Sequence, residues 1–317
     1  ANGLFAASPW SLGISGGFAS PSAAELIGQA DVVLAVGAAL NMWTTRHGRL
    51  LDPAATIVQV DDDPDAFGAH HRLDLAVLGD AAEAAAALLA ELERRDRPPS
   101  PWRAPVLAER IRAGAWSRWP FDDAGDGARI DPRALSRALD ELLPLERTVA
   151  IDSGHFMGYP AMYLRVPDAA GFVFTQGFQA VGLGLASAIG AAVARPDRLT
   201  VAALGDGGAL MSLPELETVA RLGPRMLIVV YDDSAYGAEV HHFGPQGARL
   251  DLVRFPEVDI AALARAAGLA GLTIRSPADL GAVERWVDEG SPGPLLVDAK
   301  VVPTIVAEWL EEAFRGH

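Results

Sequence analysis

The sequence predicts an α/β protein made of two doubly wound parallel-sheet domains, and three observations predict it. Apolar runs of strand length recur along the chain, helical stretches separate them, and one Pro- and charge-rich segment divides the series in two. Taken in order, Ser20-Pro21 reads as an N-cap followed by a first helical position, and Ala23–Gln29 continues a short helix. Asp31–Val36, which ends at Gly37, and Thr56–Val60, which runs into Asp61-Asp62-Asp63-Pro64, read as fully buried strands. Ala81–Arg95 is rich in Ala, Leu and Glu and reads as a helix. Charge and Pro then cluster in Asp96-Arg97-Pro98-Pro99-Ser100-Pro101, the best domain boundary in the chain. The expected division is residues 1–95, a linker over 96–130, and a second domain over 131–317. That second domain opens with a helix through Asp131–Leu143. Strands are expected at Thr148–Ile151, Thr200–Leu204, Met226–Val230 and Leu295–Val297, with helices at Ala180–Ala194, Leu213–Leu222, Ile260–Gly268 and Leu280–Glu289.

Composition narrows the function classes. The 317 residues are 50% hydrophobic and 21% charged, which suits a large packed core and excludes wholesale disorder. No apolar run reaches the ~18 residues that span a bilayer. A formal net charge of −15 opposes nonspecific attraction to nucleic acid or to an anionic membrane face. There is no Cys, so disulfides, thiolate metal sites and cysteine nucleophiles are excluded. Ala1-Asn2-Gly3-Leu4 lacks the basic start and apolar stretch of a secretory leader, and the expected location is cytoplasmic.

The chemistry gathers in two places. Val201–Leu204 is an apolar strand that ends in Gly205-Asp206-Gly207-Gly208, with a helix close behind. Ser212 and Glu215 have capping-box spacing around Pro214, which marks that helix start. Ligands of parallel sheets gather at the carboxyl ends of strands. Glycines there let backbone approach a phosphate, and Asp206 offers a hard oxygen suited to Mg2+. The second place is Met226–Val230, followed by Tyr231-Asp232-Asp233-Ser234-Ala235-Tyr236-Gly237. One helix and one returning strand fit between the two motifs, so neighbouring strand ends would bring Asp206 and Asp233 together, a pairing that a divalent cation makes tolerable. Each motif alone reads equally well as a structural turn.

Together the motifs resemble the signature of thiamine diphosphate-dependent enzymes: Gly-Asp-Gly, a spacer of this order, then a pair usually written Asn-Asn. The wider resemblance is to the acetolactate synthase-like decarboxylases and carboligases. It is carried by Ile151-Asp152-Ser153-Gly154-His155-Phe156, by Gly177–Gly184 followed by Ala186–Ala191, and in the first half by Ala30–Ala38 and Val58–Pro64. On this resemblance residues 1–95 are a partial, Rossmann-like middle domain and 131–317 the cofactor domain. The resemblance implies Mg2+ held by the side chains of Asp206 and Asp233 and the carbonyl of Ala235. It implies a diphosphate met by Gly205, Gly207 and Gly208, closed on the other side by Gly154 and His155 and bordered by Tyr236. Val181 falls where the family carries a larger apolar residue that holds the cofactor bent. The Asn-Asn pair reads Asp232-Asp233 here, and a carboxylate still ligates Mg2+.

The implied reaction is decarboxylation of a small 2-oxo acid, with aldehyde release or ligation to a second carbonyl compound, in a homo-oligomer, a dimer or tetramer when full-length. The family's activating glutamate comes from an N-terminal domain across a dimer interface. Glu25, the one Glu in residues 1–30, sits in a helix of the wrong domain. These residues are therefore expected to be inactive alone, as a fragment in preference to a subunit whose partner carries the glutamate. No catalytic residue is certain. His241 and His242, just past the metal motif, are weak candidates for substrate orientation or proton relay. His70-His71 lacks a third ligand. Gly37–Asn41 lacks the Arg and acidic run of the FAD-binding synthases, which argues against FAD. A nicotinamide dehydrogenase is disfavoured because neither Gly37 nor Gly205 opens a Gly-x-Gly-x-x-Gly turn. A non-catalytic regulatory or scaffolding subunit that binds cofactor or nucleotide remains the alternative.

Overall fold

The computed structural model describes residues 2–314 apart from 97, 99 and 179. The chain packs as two compact units, Ser8–Trp119 and a larger one formed by Pro120–His317 with Ala1–Ala7. Both are parallel-sheet α/β units. No described helix is long and apolar enough to cross a membrane.

The smaller unit starts with α1 (Pro21–Gly28), where the Ser20 side chain accepts the Ala23 amide and Pro21 takes the first helical position. Strand β1 (Val32–Val36), helix α2 (Met42–Thr45), strands β2 (Thr56–Asp61) and β3 (Leu75–Leu78), and helices α3 (Ala81–Arg94) and α4 (Pro105–Ala113) follow. The three strands form a parallel sheet in the order β1-β2-β3. The expectation that β1 and β2 are fully buried is corrected for both: Thr56 of β2 is exposed and Val58 half-buried, and β1 departs further. Ala35 is buried in a cluster with Leu40, Leu51, Ala55 and Ile57, with Val33 packed against it. Val32, Leu34 and Val36 alternate onto an exposed face. A uniformly apolar strand does not reveal how many of its faces are covered. Much of the stretch expected as linker also packs here: Arg110 on α4 pairs with Glu25 at 2.7 Å. The Trp116 indole donates to the Phe18 carbonyl at 2.7 Å.

The larger unit holds α5 (Pro132–Leu142), β4 (Arg147–Ile151), α6 (Gly158–Tyr163), β5 (Phe172–Phe174), α7 (Gly184–Ala194), β6 (Leu199–Gly205), α8 (Asp206–Met211), α9 (Glu215–Leu222), β7 (Met226–Asp232), α10 (Gly237–Phe243), α11 (Ile260–Ala266), β8 (Ala270–Ile274), α12 (Gly281–Asp288), β9 (Leu295–Lys300) and α13 (Glu308–Ala313). Its six strands are all parallel, in the order β5-β4-β6-β7-β9-β8. Strands β4, β7 and β9 are buried along their whole lengths, as helices on both faces of a parallel sheet require. On one face Ala150, Ala202, Leu204, Ile228, Val230 and Leu296 meet Leu185 and Ala188 of α7, Val219 of α9 and Ala264 of α11. On the other, Ser136 of α5 shares a 2.8 Å hydrogen bond with the Tyr231 hydroxyl of β7.

Three strands escaped sequence reading: β3, β5 and β8. The strands that were expected run further than their apolar cores. Asp232 and Lys300 are strand because they stand directly opposite each other in the ladder between β7 and β9.

One buried ion pair ties α5 to β4. The Arg147 guanidinium, fully buried, donates to Asp140 and to the carbonyl oxygens of Arg165 and Leu143. Asp140 also accepts the Arg165 amide at 2.8 Å and its Nε at 2.7 Å. Removing one partner strands a buried charge. Asp140→Ala is therefore expected to lower the unfolding free energy by about 3–5 kcal/mol, measured by urea titration. A loss within the noise of surface substitutions would show that Arg147 is satisfied without it.

Candidate active site

The strand order β4-β6-β7-β9 sets four carboxyl ends side by side, and each of the first three is followed at once by an aspartate: Asp152, Asp206, and Asp232 with Asp233. Asp206 is the first residue of α8 and is buried. Its Oδ1 accepts the Gly207 amide at 2.9 Å and its Oδ2 the Ala235 amide at 3.2 Å. The loops after β6 and β7 are thus joined, as the spacing of the two motifs implies. The expected Ser212–Glu215 capping box is not formed. The Gly-Asp-Gly-Gly motif passes straight into α8, and the Ser212 hydroxyl donates back to the Gly208 carbonyl at 2.8 Å. Helix α9 then starts with no side-chain cap.

Two glycines are needed here for close approach. A Cβ on Gly207 would collide with the Tyr236 ring, and one on Gly208 with a carboxylate oxygen of Asp152 while touching Val181. Both motifs, Val181 and Tyr236 therefore meet in one place. Gly205 joins it against the Phe156 ring.

Burial raises the Asp206 carboxyl to about 9, with the charges of Asp233 and Asp232 adding to the effect. Burial and Asp232 likewise push Asp233 up to about 7, although Arg129 opposes them. A buried carboxyl beside a half-buried one, both pushed up, is an oxygen donor set that fits a hard divalent cation. Among the described residues no group of three or more His, Asp or Glu side chains is gathered as ligands. A metal reading thus rests on the two carboxylates completed by backbone oxygen.

The remaining expected residues have distinct places. Val181 lies 42% exposed beside Phe178 at 83% and Leu183 at 38%, so this turn offers an apolar surface. His155 is buried and its Nε2 accepts the Ala307 amide at 2.8 Å, which places the proton on Nδ1. Burial, helped by His241, lowers its pKa to about 3, so the ring is neutral. Its Nε2 is committed to the C-terminal segment. His241 packs against it with ring centres 4.4 Å apart, whereas His242 turns to Phe314 at 4.2 Å. The structure therefore separates the two weak candidates.

Asp152 was singled out by nothing in the sequence except its place after an apolar strand, the signal that marked Asp206. Its carboxylate accepts the Gly182 amide at 2.9 Å and the Ser153 amide at 2.9 Å. It fixes the Val181 turn and the start of α7 against the Gly-Asp-Gly-Gly backbone.

A parallel sheet whose adjacent strand ends converge Gly-rich backbone and paired carboxylates has the layout of a ligand-binding α/β domain. Residues 152–299 match the family model for the C-terminal TPP-binding domain of thiamine pyrophosphate enzymes, and residues 1–88 match that of their central domain. The chain belongs to the thiamine pyrophosphate enzymes of the acetolactate synthase-like group, and these residues hold the central and C-terminal domains. It is 30% identical over 305 residues to a putative acetolactate synthase large subunit of Mycobacterium tuberculosis, covering 94% of this chain and 53% of that one. It is 28% identical over 332 residues to a probable sulfoacetaldehyde acetyltransferase of Rhizobium meliloti, covering 96% and 55%. A catabolic acetolactate synthase of Raoultella terrigena is 29% identical over 260 residues, covering 80% and 44%. The chain spans about half the length of these curated relatives.

The raised Asp206 carboxyl has a stability consequence. Its folded pKa lies above the unfolded value, so folding retains a proton that the unfolded chain releases, and stability is lost as pH rises from about 4 towards 9. Asp206→Asn removes that loss. Without divalent cation at pH 8, the variant is expected to melt a few degrees above the parent, with the gap closing near pH 4. A pH-independent gap in a melting series would show that Asp206 does not carry the effect.

Proposed function

We propose that this protein serves the thiamine diphosphate- and Mg2+-dependent decarboxylation of a small 2-oxo acid, with ligation to a second carbonyl compound as the further step. The observation that carries the reading is the buried Asp206 set beside the half-buried Asp233 at adjacent strand ends, both carboxyls pushed above their ordinary range. In this reading the side chains of Asp206 and Asp233 and the carbonyl of Ala235 hold Mg2+. Gly205, Gly207 and Gly208, with Gly154 and the backbone of His155, border the diphosphate. Val181 supports the bent cofactor and Tyr236 closes the metal side. The cofactor, when bound, supplies the electron sink on which a 2-oxo acid loses CO2.

This chain's own residues hold and orient. Asp152 fixes the Val181 turn against Gly208, and Asp206 bridges the two motif loops through the Gly207 and Ala235 amides. The relatives named acetolactate synthase and acetyltransferase support carbonyl transfer chemistry and leave the acceptor open. We propose further that the activating glutamate is supplied from outside these 317 residues, in a homo-oligomer. The apolar surface of Phe178, Val181 and Leu183 supports that reading as a face suited to burial.

In the full-length protein, Asp206→Ala is expected to abolish Mg2+-dependent thiamine diphosphate binding in calorimetry while leaving the far-ultraviolet dichroism unchanged. Undiminished affinity would refute the metal assignment. The 317 residues alone, saturated with Mg2+ and thiamine diphosphate, are expected to show no pyruvate decarboxylation above the free-cofactor background. Robust turnover would mean that an internal base has been overlooked.

A further inference from the structure

Lys300 is the only lysine in the sequence; the other basic residues counted with it are all Arg. It ends β9, directly opposite Asp232 in the parallel ladder, and is 1% exposed. Its ammonium has three donors, and three acceptors meet them: Asp232 Oδ2 at 2.5 Å, the Val258 carbonyl at 2.6 Å and Asp298 Oδ2 at 3.0 Å. Burial lowers its pKa, but Asp232 and Asp298 outweigh burial and hold it above the ordinary value. Lys300 therefore stays charged.

The other oxygen of Asp232 faces the motif loop. Asp232 Oδ1 accepts the Ser234 amide at 3.0 Å and the Ser234 hydroxyl at 3.2 Å. Ser234 adopts φ +59°, a left-handed conformation uncommon for a residue with a side chain. That turn carries Asp233 on one side and Ala235 on the other. It is pinned from beyond by Phe255, whose amide donates to the Ser234 carbonyl at 3.1 Å, and by the Val253 carbonyl, which accepts the Tyr236 amide at 2.9 Å. Lys300 thus holds one Asp232 oxygen and the turn holds the other.

We propose that Lys300 is a positioning residue for the cation site, acting through Asp232, which is a clasp on the ligand loop and not a ligand. This rests on the reading that Asp206 and Asp233 hold the cation. The pairing also explains how an aspartate stands where the family's motif has asparagine. Lys300 supplies a countercharge to that extra carboxylate. Arg does not replace it simply, because the planar guanidinium needs more room and a forked set of acceptors. Without Lys300 the buried Asp232 Oδ2 loses its ammonium donor, and the hold of Asp232 on Ser234 is no longer fixed from behind.

The probe is Mn2+, titrated into the full-length protein with thiamine diphosphate and followed by electron paramagnetic resonance. Lys300→Met is expected to weaken Mn2+ binding on the order of tenfold, the size of an ordinary coupling between contacting groups. Asp232→Asn alone is expected to weaken it too, since the amide NH2 would face the ammonium donor to donor. The double variant Asp232→Asn/Lys300→Met removes that conflict and should bind Mn2+ more tightly than Asp232→Asn, a rescue that general destabilisation does not give. Unchanged or tighter binding in Lys300→Met overturns the proposal. If Lys300→Met does not fold, the other two variants decide, and a double variant no better than Asp232→Asn overturns it. Asp206→Ala is the control: Mn2+ bound as before by that variant refutes the cation-site reading itself, whereas its loss with Lys300→Met unaffected refutes only the role of Lys300.

Discussion

A carboxylate taken out of water must find hydrogen-bond donors, a countercharge or a proton, and the carboxyl edge of the six-stranded sheet uses all three. Asp152 is satisfied by amides, those of Ser153 and the Gly182 turn. Asp232 is satisfied by Lys300 and Ser234. Asp206 and Asp233 are left with too few partners, and their carboxyls are pushed up towards the protonated form. The surplus lies at the crossing of two loops that the sheet order forces together. Strand order, glycine placement and the shape of the Val181 turn can each be traced to accommodating that group of acids.

The same edge shows why the site is more legible in sequence than the domain that surrounds it. An apolar strand followed at once by Asp is a local pattern, and parallel order makes local patterns converge. Asp206, Asp233, Val181 and Tyr236, which spacing and family resemblance single out, lie at this one edge. Asp152 follows the same pattern after β4 and was not taken as a candidate, since it lacks the flanking glycines that marked Asp206. The place of the His155 ring was not legible for a different reason. Its ring belongs to a long-range contact with Ala307, 152 positions away, which no local pattern announces.

Burial was the least legible property. Val32–Val36 and Leu199–Gly205 are both apolar strands, yet β1 exposes Val32, Leu34 and Val36 while all but the last residue of β6 is buried. The difference lies in what covers each sheet, a tertiary fact. Strand ends were underestimated for a related reason: hydropathy stops at Val230 and Val297, but the ladder continues through Asp232 and Lys300 because a buried ion pair replaces apolar packing there.

That replacement bears on how the motif tolerates change. An asparagine after β7 can both donate and accept, and so can hold a turn without a countercharge. An aspartate only accepts when ionised, and in a buried place it needs a cation close by. The chain meets that need with its single lysine, on the one residue that the ladder sets across from Asp232. A compact ammonium shares its three donors among Asp232, Asp298 and the Val258 carbonyl, and Asp298 Oδ2 in turn accepts the Ile260 amide at the start of α11. The turn that carries Asp233 is thereby tied through Lys300 to β9 and α11, elements that contribute no ligand of their own. Asp232 and Lys300 thus form one unit, shared with Asp298: altering either alone leaves a buried charge or a donor facing a donor, whereas altering both removes that conflict and leaves Asp298 without its cation.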